Sequence, residues 1–229
     1  MLARILEPEV MDSETDAREY DSMDHTAVNA VFVGDLLATL ADWSLQRPVQ
    51  SGEVPRLEIL DLGVGTAQIP IELCRREPSV HVVAVDAAES MLAIGRENVA
   101  AAGLGDRIEL VLADAKRLPF HDGSFRMVAS NSIVHHIAEP AGVLAEAIRV
   151  AEPGCLQFHR DLCRPADEDE LARIVRTYAG DATPYQSKLY SDSLRAALSL
   201  EEMQSLVERF GFSRNTVRMT SDRHWTWVA

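Results

Sequence analysis

Apolar and polar positions along residues 57–161 predict strands and helices in strict alternation. Five short apolar runs have no polar face, which is typical of strands buried on both sides. They span residues 57–62, 80–85, 107–112, 126–131 and 155–160. Between some of them, apolar residues recur every three or four positions and predict helices at 67–76, 89–101 and 140–150. The alternation favours an α/β domain with a mainly parallel sheet covered by helices.

Both flanks of this region have helical patterns. Before it, apolar 3–4 spacing predicts a helix at 26–43, and a linker with Pro48, Gly52 and Pro55 follows at 47–56. After it, residues 166–179 and 184–198 are predicted to be helical, and Ser199-Leu-Glu-Glu202 is a capping box that begins another helix. Two β-prone runs at 216–220 and 225–229 predict a terminal antiparallel hairpin, which makes a seven-stranded sheet.

The first 24 residues contain eight acidic residues and two arginines and follow no apolar period. We therefore expect a largely solvated arm. We divide the chain into an N-terminal arm and helix, residues 1–56, and a main domain, residues 57–229. The arm and helix, together with a helical insertion at 162–198, are the expected cover of the site.

Charge and cysteine content limit the classes of function that the sequence allows. The chain of 229 residues has 22 basic and 36 acidic residues and a net charge of −14, so we expect no nucleic-acid partner. It has no signal-peptide pattern and no uninterrupted apolar run of 18 residues, so we expect a cytoplasmic protein without membrane insertion. The three cysteines are not at metal-ligand spacing; we expect buried free thiols and no metal. A homodimer is compatible with the sequence.

Polar residues close every predicted strand of the parallel sheet. They are Asp61, Asp86, Asp114, Asn131 and Asp161. Ligands of such sheets bind at the carboxyl ends of the strands, so these side chains mark the expected site. Gly63 and Gly65 follow the first strand and allow the backbone to turn sharply and approach a ligand closely.

Several motifs in fixed order carry a family resemblance. They are Asp61-Leu-Gly-Val-Gly-Thr66, Asp86, Ala113-Asp-Ala115, Leu118-Pro-Phe120, Asp122-Gly-Ser-Phe125, His135-His-Ile137, and Arg149-Val150 with Pro153-Gly154. Together they resemble class I S-adenosylmethionine-dependent methyltransferases, especially the small-molecule group related to ubiquinone/menaquinone biosynthesis (methyltransferase type 11). The resemblance implies a Rossmann-like, doubly wound sheet and S-adenosylmethionine as cofactor.

The resemblance also implies roles for the residues at the strand ends. Asp61 would accept from the ammonium group of the cofactor, directly or through water, and Asp86 would take both ribose hydroxyls. Asp114 and Ala115 would meet the adenine edge, Met91 would cover its face, and Asn131 would lie near the methionine part. The full set of expected cofactor contacts is Asp61, Gly63, Gly65, Thr66, Asp86, Ala87, Met91, Asp114, Ala115 and Asn131.

Three positions depart from the family pattern. The third glycine of the first motif is Ala67, the acidic residue usual after Phe125 is Arg126, and the second glycine of the later turn is Cys155. Ser130-Asn-Ser132 stands where amino-methylating nucleic-acid enzymes have an Asn/Asp-Pro-Pro-aromatic signature. These departures bear on the assignment to a subfamily more than on the expected fold.

The expected reaction is methyl transfer to an O, N or C atom of a small molecule by in-line displacement, governed by proximity. A base is needed only when the accepting atom must lose a proton. The candidates are His135 and His136, of which we prefer His135 as the cleft-lining residue, and Asp161. Acceptor contacts are expected from Tyr20, Met23, His25 and Tyr185.

Two other functions remain open from the sequence. A non-catalytic protein that binds S-adenosylmethionine and acts through protein contacts would share every cofactor motif. A nicotinamide-dependent oxidoreductase would share the glycine turn and the later acid, but its fingerprint needs a third glycine where Gln68 stands.

Overall fold

Seven strands form one sheet in the order β3-β2-β1-β4-β5-β7-β6. The computed structural model describes residues 2–10, 12–46 and 57–229, so the predicted linker at 47–56 lies outside the described residues. The strands are β1 (Leu57–Leu62), β2 (Val80–Asp86), β3 (Ile108–Leu112), β4 (Phe125–Asn131), β5 (Ala151–Leu162), β6 (Val217–Met219) and β7 (His224–Val228). Strands β1 to β5 are parallel, and β7 pairs antiparallel with both β5 and β6. The predicted fold class is confirmed.

Eight helices accompany this sheet in the described part of the chain. They are α1 (Glu14–Asp21), α2 (Thr26–Leu45), α3 (Gln68–Arg76), α4 (Glu89–Ala102), α5 (Ala141–Val150), α6 (Glu168–Ala179), α7 (Pro184–Ala196) and α8 (Leu200–Arg209). All but α1 lie within a few residues of the predicted bounds. The Ser199 capping box forms as predicted, since its side chain accepts from the Glu202 N–H and the Glu202 side chain accepts from the Ser199 N–H.

Successive residues of the central strands belong to different cores, as the period of a strand requires. Ile59 packs with Phe32 and other residues of α2, α3 and α4 on one face of the sheet. Leu60, its neighbour in β1, packs with Val143 and the rest of α5 on the other face. Both faces of β1 are therefore dry, which explains why its sequence shows no polar alternation.

Helix α2 is the most apolar helix that the structure describes. By length and composition alone it could cross a membrane, although Asp35 and Asp42 interrupt its apolar run. Its residues Phe32, Val33 and Leu36 are buried in the core against the sheet. Asp35 lies 2.7 Å from the guanidinium of Arg160 on β5. One face of α2 therefore packs on the sheet, whereas Val28, Val31 and Leu45 on the rest of the helix are exposed.

The N-terminal arm is docked on the main domain, although most of its described residues are exposed. The Arg4 guanidinium donates to the carbonyl oxygens of Ala196 (2.6 Å) and Ile137 (2.8 Å). Farther along, α1 is capped by the Ser13 hydroxyl, and its Ala17 is fully buried against α4. The arm therefore lies along the carboxyl ends of the strands, because its charged side chains find partners on the main domain.

The terminal hairpin, β6 and β7, forms one edge of the sheet. Trp225 and Trp227 on β7 are fully buried and pack against α8 residues such as Met203. His159 on β5 stacks on Trp227 with ring centroids 5.0 Å apart. Burial lowers the pKa of His159 to about 3, so this histidine is a neutral part of the core. The cysteines are free; Cys74 is buried, whereas Cys155 and Cys163 are only half-buried.

Candidate active site

A cleft lies at the carboxyl ends of β1, β2, β3 and β4, where the sequence predicts the site. Its walls come from the turn after each strand and from the N-terminal arm. The lining residues are Glu9, Val10, Tyr20, Gly63, Gly65, Val85, Asp86, Ala87, Ala88, Met91, Ala113, Asp114, Ala115, Asn131, Ser132, Ile133, His136 and Ile137. The N-terminal arm and the turns after four strands thus meet around one space.

The turn after β1 brings bare backbone to the cleft. Gly63 has a φ of 72°, in the left-handed region that glycine adopts without a steric penalty. The N–H groups of Gly63 and Val64 donate to the Val85 carbonyl oxygen at 2.9 and 3.0 Å, which fixes the turn on β2. A Cβ atom on Gly63 would lie 2.8 Å from Cδ1 of Ile133. Only glycine therefore fits at this position.

Asp86 ties the turns after β1 and β2 together. One carboxylate oxygen accepts from the Gly65 N–H at 2.8 Å, and the other accepts from the Ala88 N–H at 2.9 Å. Each oxygen keeps a further lone pair, since a carboxylate offers about four acceptor sites. Asp86 can therefore accept two more hydrogen bonds from a ligand in the cleft.

Asp61 lies beneath this turn and is only 5% exposed. Burial, and then the nearby charge of Asp86, raise the pKa of the Asp61 carboxyl to about 7. Near neutral pH this carboxyl is consequently divided between its charged and neutral forms. A cation placed beside it would favour the carboxylate, which matches the predicted interaction with an ammonium group.

Most of the predicted cofactor contacts come together in the cleft. Eight of them line it: Gly63, Gly65, Asp86, Ala87, Met91, Asp114, Ala115 and Asn131. Asp61 and Thr66 do not line it and are buried. The Thr66 hydroxyl has no hydrogen-bond partner among the described residues.

The two adjacent histidines differ in position, and the preference for His135 as the cleft-lining one is wrong. His136 lines the cleft, whereas His135 lies behind it and is 4% exposed. Nδ1 of His135 is 2.6 Å from Oδ1 of Asp161. Burial alone would lower the pKa of His135, but the carboxylates of Asp161 and Glu7 outweigh it and raise that pKa.

Asp161 was expected in the pocket, but it is 1% exposed and lies away from the cleft lining. Its Oδ2 accepts from the Val134 N–H at 2.5 Å, and its Oδ1 accepts from the Leu162 N–H at 2.6 Å. The bond from Val134 holds a short 3-10 helix, Val134–His136, against β5. Asp161 therefore contacts the histidine pair from behind and does not line the cleft.

The arm brings Glu9 and Val10 to the cleft and Glu7 to the histidine pair, which the sequence reasoning missed. Oε1 of Glu7 is 3.0 Å from Nδ1 of His136 and 3.5 Å from Nε2 of His135. Glu9 pairs with Lys116 in the loop after β3. No short-range pattern marks Glu7 or Glu9, because their partners lie more than 100 residues away along the chain.

The predicted acceptor contacts are only partly brought together. Tyr20 lines the cleft, where its ring would lie 3.6 Å from a Cβ on Gly65. Met23 and His25 are half-buried next to it but do not line the cleft, and the rings of His25 and Tyr20 are 4.9 Å apart. Tyr185 is exposed on α7 and does not line the cleft, so its role as an acceptor contact stays a prediction.

Comparison with known proteins identifies the domain. A family model described as a methyltransferase domain matches residues 59–154, which span β1 to the start of β5. The chain contains a methyltransferase domain. The predicted resemblance to class I S-adenosylmethionine-dependent methyltransferases is confirmed, and S-adenosylmethionine is the cofactor of that class.

Similar sequences and structures agree with this assignment. The ubiquinone/menaquinone biosynthesis C-methyltransferase of Brucella anthropi is 30% identical over 171 residues, which cover 69% of this chain and 64% of that protein. The enzyme of the same name from Roseobacter denitrificans is 28% identical, and the match covers 80% of this chain and 74% of that protein. The chain thus spans about two thirds of the length of these relatives. A methyltransferase structure from Aquifex aeolicus shares the fold, with a TM-score of 0.62 and 17% identity. The match covers 96% of this chain and 98% of that one.

Proposed function

We propose that this protein binds S-adenosylmethionine in the cleft and transfers its methyl group to an O, N or C atom of a small-molecule acceptor. The observation that carries the proposal is the meeting of the Gly63 turn, Asp86, the Ala113–Ala115 turn and Asn131 around one space. These groups match the methionine, ribose and adenine parts of one ligand. The relatives' names make quinone precursors the first acceptors to test.

The residues fit a reaction governed by alignment. When bound, the cofactor supplies an electrophilic methyl group on a sulfonium. Asp86 accepts from the two ribose hydroxyls, and Asp61 is charged once an ammonium group lies near it. The arm residues Val10 and Tyr20 exclude water from the cleft, which favours in-line attack. His136 lines the cleft and removes a proton only when the acceptor must lose one.

The domain division supports the same proposal. Residues 57–229 are the cofactor-binding domain, and the N-terminal arm with α1 is its cover, since Glu9, Val10 and Tyr20 line the cleft, whereas α2 packs on the sheet. The insertion at 162–198 takes part because Ala196 and Ser193 hold the arm in place. We place the reaction in the cytoplasm, with small molecules and no nucleic acid as partners.

Labelled S-adenosylmethionine, supplied with a metabolite extract and with demethylated quinone precursors, tests this function. We expect a labelled product from the wild-type chain and binding of S-adenosylhomocysteine by calorimetry. Asp86→Asn is expected to weaken binding at least about 10-fold, because hydrogen bonds to a charged group contribute about 1.5–3 kcal/mol. The matched control is Asp106→Asn, which changes an exposed carboxylate in the turn after α4.

The outcomes separate the proposal from its rivals. Binding of S-adenosylhomocysteine without turnover of any acceptor would favour a non-catalytic binding protein. Binding of reduced nicotinamide dinucleotide, followed by its fluorescence, would favour an oxidoreductase. Equal binding by Asp86→Asn and Asp106→Asn would contradict the assignment of Asp86.

A further inference from the structure

Three potential metal ligands meet where the arm crosses the histidine pair. One ligand atom from each of Glu7, His135 and His136 lies within 4.8 Å of the other two. The Glu7 carboxylate oxygen Oε1 is 3.0 Å from Nδ1 of His136 and 3.5 Å from Nε2 of His135. The two imidazole rings are neighbours, with centroids 4.0 Å apart. The cluster is built from nitrogen and oxygen donors of two distant segments.

The spacing agrees with coordination of one ion. Ligands bound about 2.0–2.1 Å from a tetrahedral zinc ion lie about 3.4 Å from each other. The two measured separations from Glu7, 3.0 and 3.5 Å, fall on either side of that value. The third separation, between the two histidine nitrogens, is at most 4.8 Å, so all three donors lie near one point.

A second observation concerns the far side of His135. Its other ring nitrogen, Nδ1, lies 2.6 Å from the Asp161 carboxylate, which is 1% exposed and held by backbone N–H groups. Metal-binding histidines usually donate their second ring N–H to a carboxylate in this way, which orients the ring and makes it a better ligand. His135 is thus oriented with Nε2 towards Glu7.

We propose that Glu7, His135 and His136 bind a divalent transition-metal ion such as zinc. Two imidazoles and one carboxylate suit such ions better than magnesium or calcium, which prefer oxygen ligands throughout. Three protein ligands leave a fourth position for an oxygen donor, either water or an oxygen of the bound acceptor. His136 lines the cleft, so that position is next to the site of the proposed reaction.

The ion would also join the arm to the main domain. Glu7 lies in the arm, and the histidines lie in the turn after β4, so coordination spans the edge of the cleft. Coordination would use an unprotonated nitrogen of each histidine, since metal ligands must be deprotonated. The proposal concerns metal binding and stands independently of methyl transfer.

The experiment measures zinc and cobalt(II) binding by the full chain after treatment with a chelator. We expect one zinc ion per chain by calorimetry, and a visible cobalt(II) spectrum typical of four-coordinate nitrogen and oxygen ligands. His136→Gln and Glu7→Gln are each expected to weaken zinc binding at least about 10-fold, and Asp161→Asn about 10- to 100-fold. Circular dichroism and thermal unfolding show that each variant is folded.

Two control variants are matched to the ligands. Glu9→Gln removes the same charge from the same arm, and His121→Gln removes an exposed histidine outside the cluster. Both are expected to bind zinc as the wild type does. Absence of stoichiometric zinc binding would overturn the proposal and would leave Glu7 as an ion-pair anchor of the arm. Equal weakening by Glu9→Gln and Glu7→Gln would overturn it as well.

Discussion

At the scale of single residues, Asp61 couples binding to stability. Its folded-state pKa of about 7 lies above the value of about 3.9 expected in an unfolded chain. Between these values the folded form holds a proton that the unfolded form has lost, so the contribution of Asp61 to stability falls as pH rises from about 4 to 7.

Asp61→Asn is therefore expected to stabilise the free protein at pH 8, by about 1–3 kcal/mol, while weakening S-adenosylhomocysteine binding. Urea unfolding at pH 8 and pH 5 measures the first effect, and the gain should be clearly smaller at pH 5. Calorimetry measures the second effect. If Asp61→Asn is less stable than the wild type at pH 8, the folded protein already stabilises the charged Asp61 carboxylate, contrary to this prediction.

Gly63 allows a second prediction at this scale. Gly63→Ala is expected to cost about 2–4 kcal/mol, because the new Cβ meets Ile133 at 2.8 Å and φ is 72°. Gly103→Ala is the matched control, since φ there is 68° but no atom lies within 4 Å of the new Cβ. Urea unfolding should show a smaller loss for Gly103→Ala. Equal losses would mean that backbone strain alone, and not the contact with Ile133, accounts for the lost stability.

The sequence predicts residues near the site better than it predicts their orientation. Asp86, Asp114 and Asn131 could be placed at the cleft because a parallel sheet aligns its strand ends. Which of His135 and His136 faces the cleft depends on the 3-10 turn and on Asp161, which lies 26 residues away. A side-chain direction set by such a contact leaves no local pattern.

At the scale of elements, the N-terminal arm invites a test of its docking. Arg4→Ala removes hydrogen bonds to the carbonyl oxygens of Ala196 and Ile137. We expect faster proteolysis within residues 2–21 and binding of S-adenosylhomocysteine weakened about 3- to 10-fold, because Glu9, Val10 and Tyr20 line the cleft. Arg18→Ala is the control, since Arg18 is exposed and its partner among the described residues is Glu14 within α1.

The docked arm with α1 is also where the prediction of elements failed. The acidic composition of residues 1–24 favours solvation, whereas the structure buries Ala17 and pairs Glu7 and Glu9 with the main domain. Elements with a strong local signal are predicted closely, such as both ends of β1 and the start of α8. The arm has no such period, because its order comes from contacts with residues far along the chain.

At the scale of the whole molecule, ligand binding should stabilise the fold as a unit. S-adenosylhomocysteine at about 100 times its dissociation constant is expected to add about 2.7 kcal/mol to the free energy of unfolding. Fluorescence of the buried Trp225 and Trp227 reports thermal unfolding. Asp86→Asn should gain much less at the same concentration. A wild-type protein whose unfolding temperature does not respond to the ligand would contradict the proposed function.

The fold itself follows from the sequence at this scale. Dry strands that alternate with amphipathic helices leave few arrangements apart from a parallel sheet covered on both faces. The antiparallel β7 between β5 and β6 required the hairpin at 216–229 and the family resemblance together. The acceptor is beyond this reasoning, because the same cleft fits many small molecules.

The path of Arg4 implies an order of events during synthesis. Its hydrogen bond to Ala196 joins residues 192 positions apart, and that of Ser193 to Glu7 joins residues 186 apart. Contacts of such long range form late, because chain entropy opposes them until the intervening parts have folded. Arg4 and Glu7 are synthesised well before these partners and are thus among the last residues to dock. A nascent chain that has not reached α7 has most of its sheet but still has an open cleft.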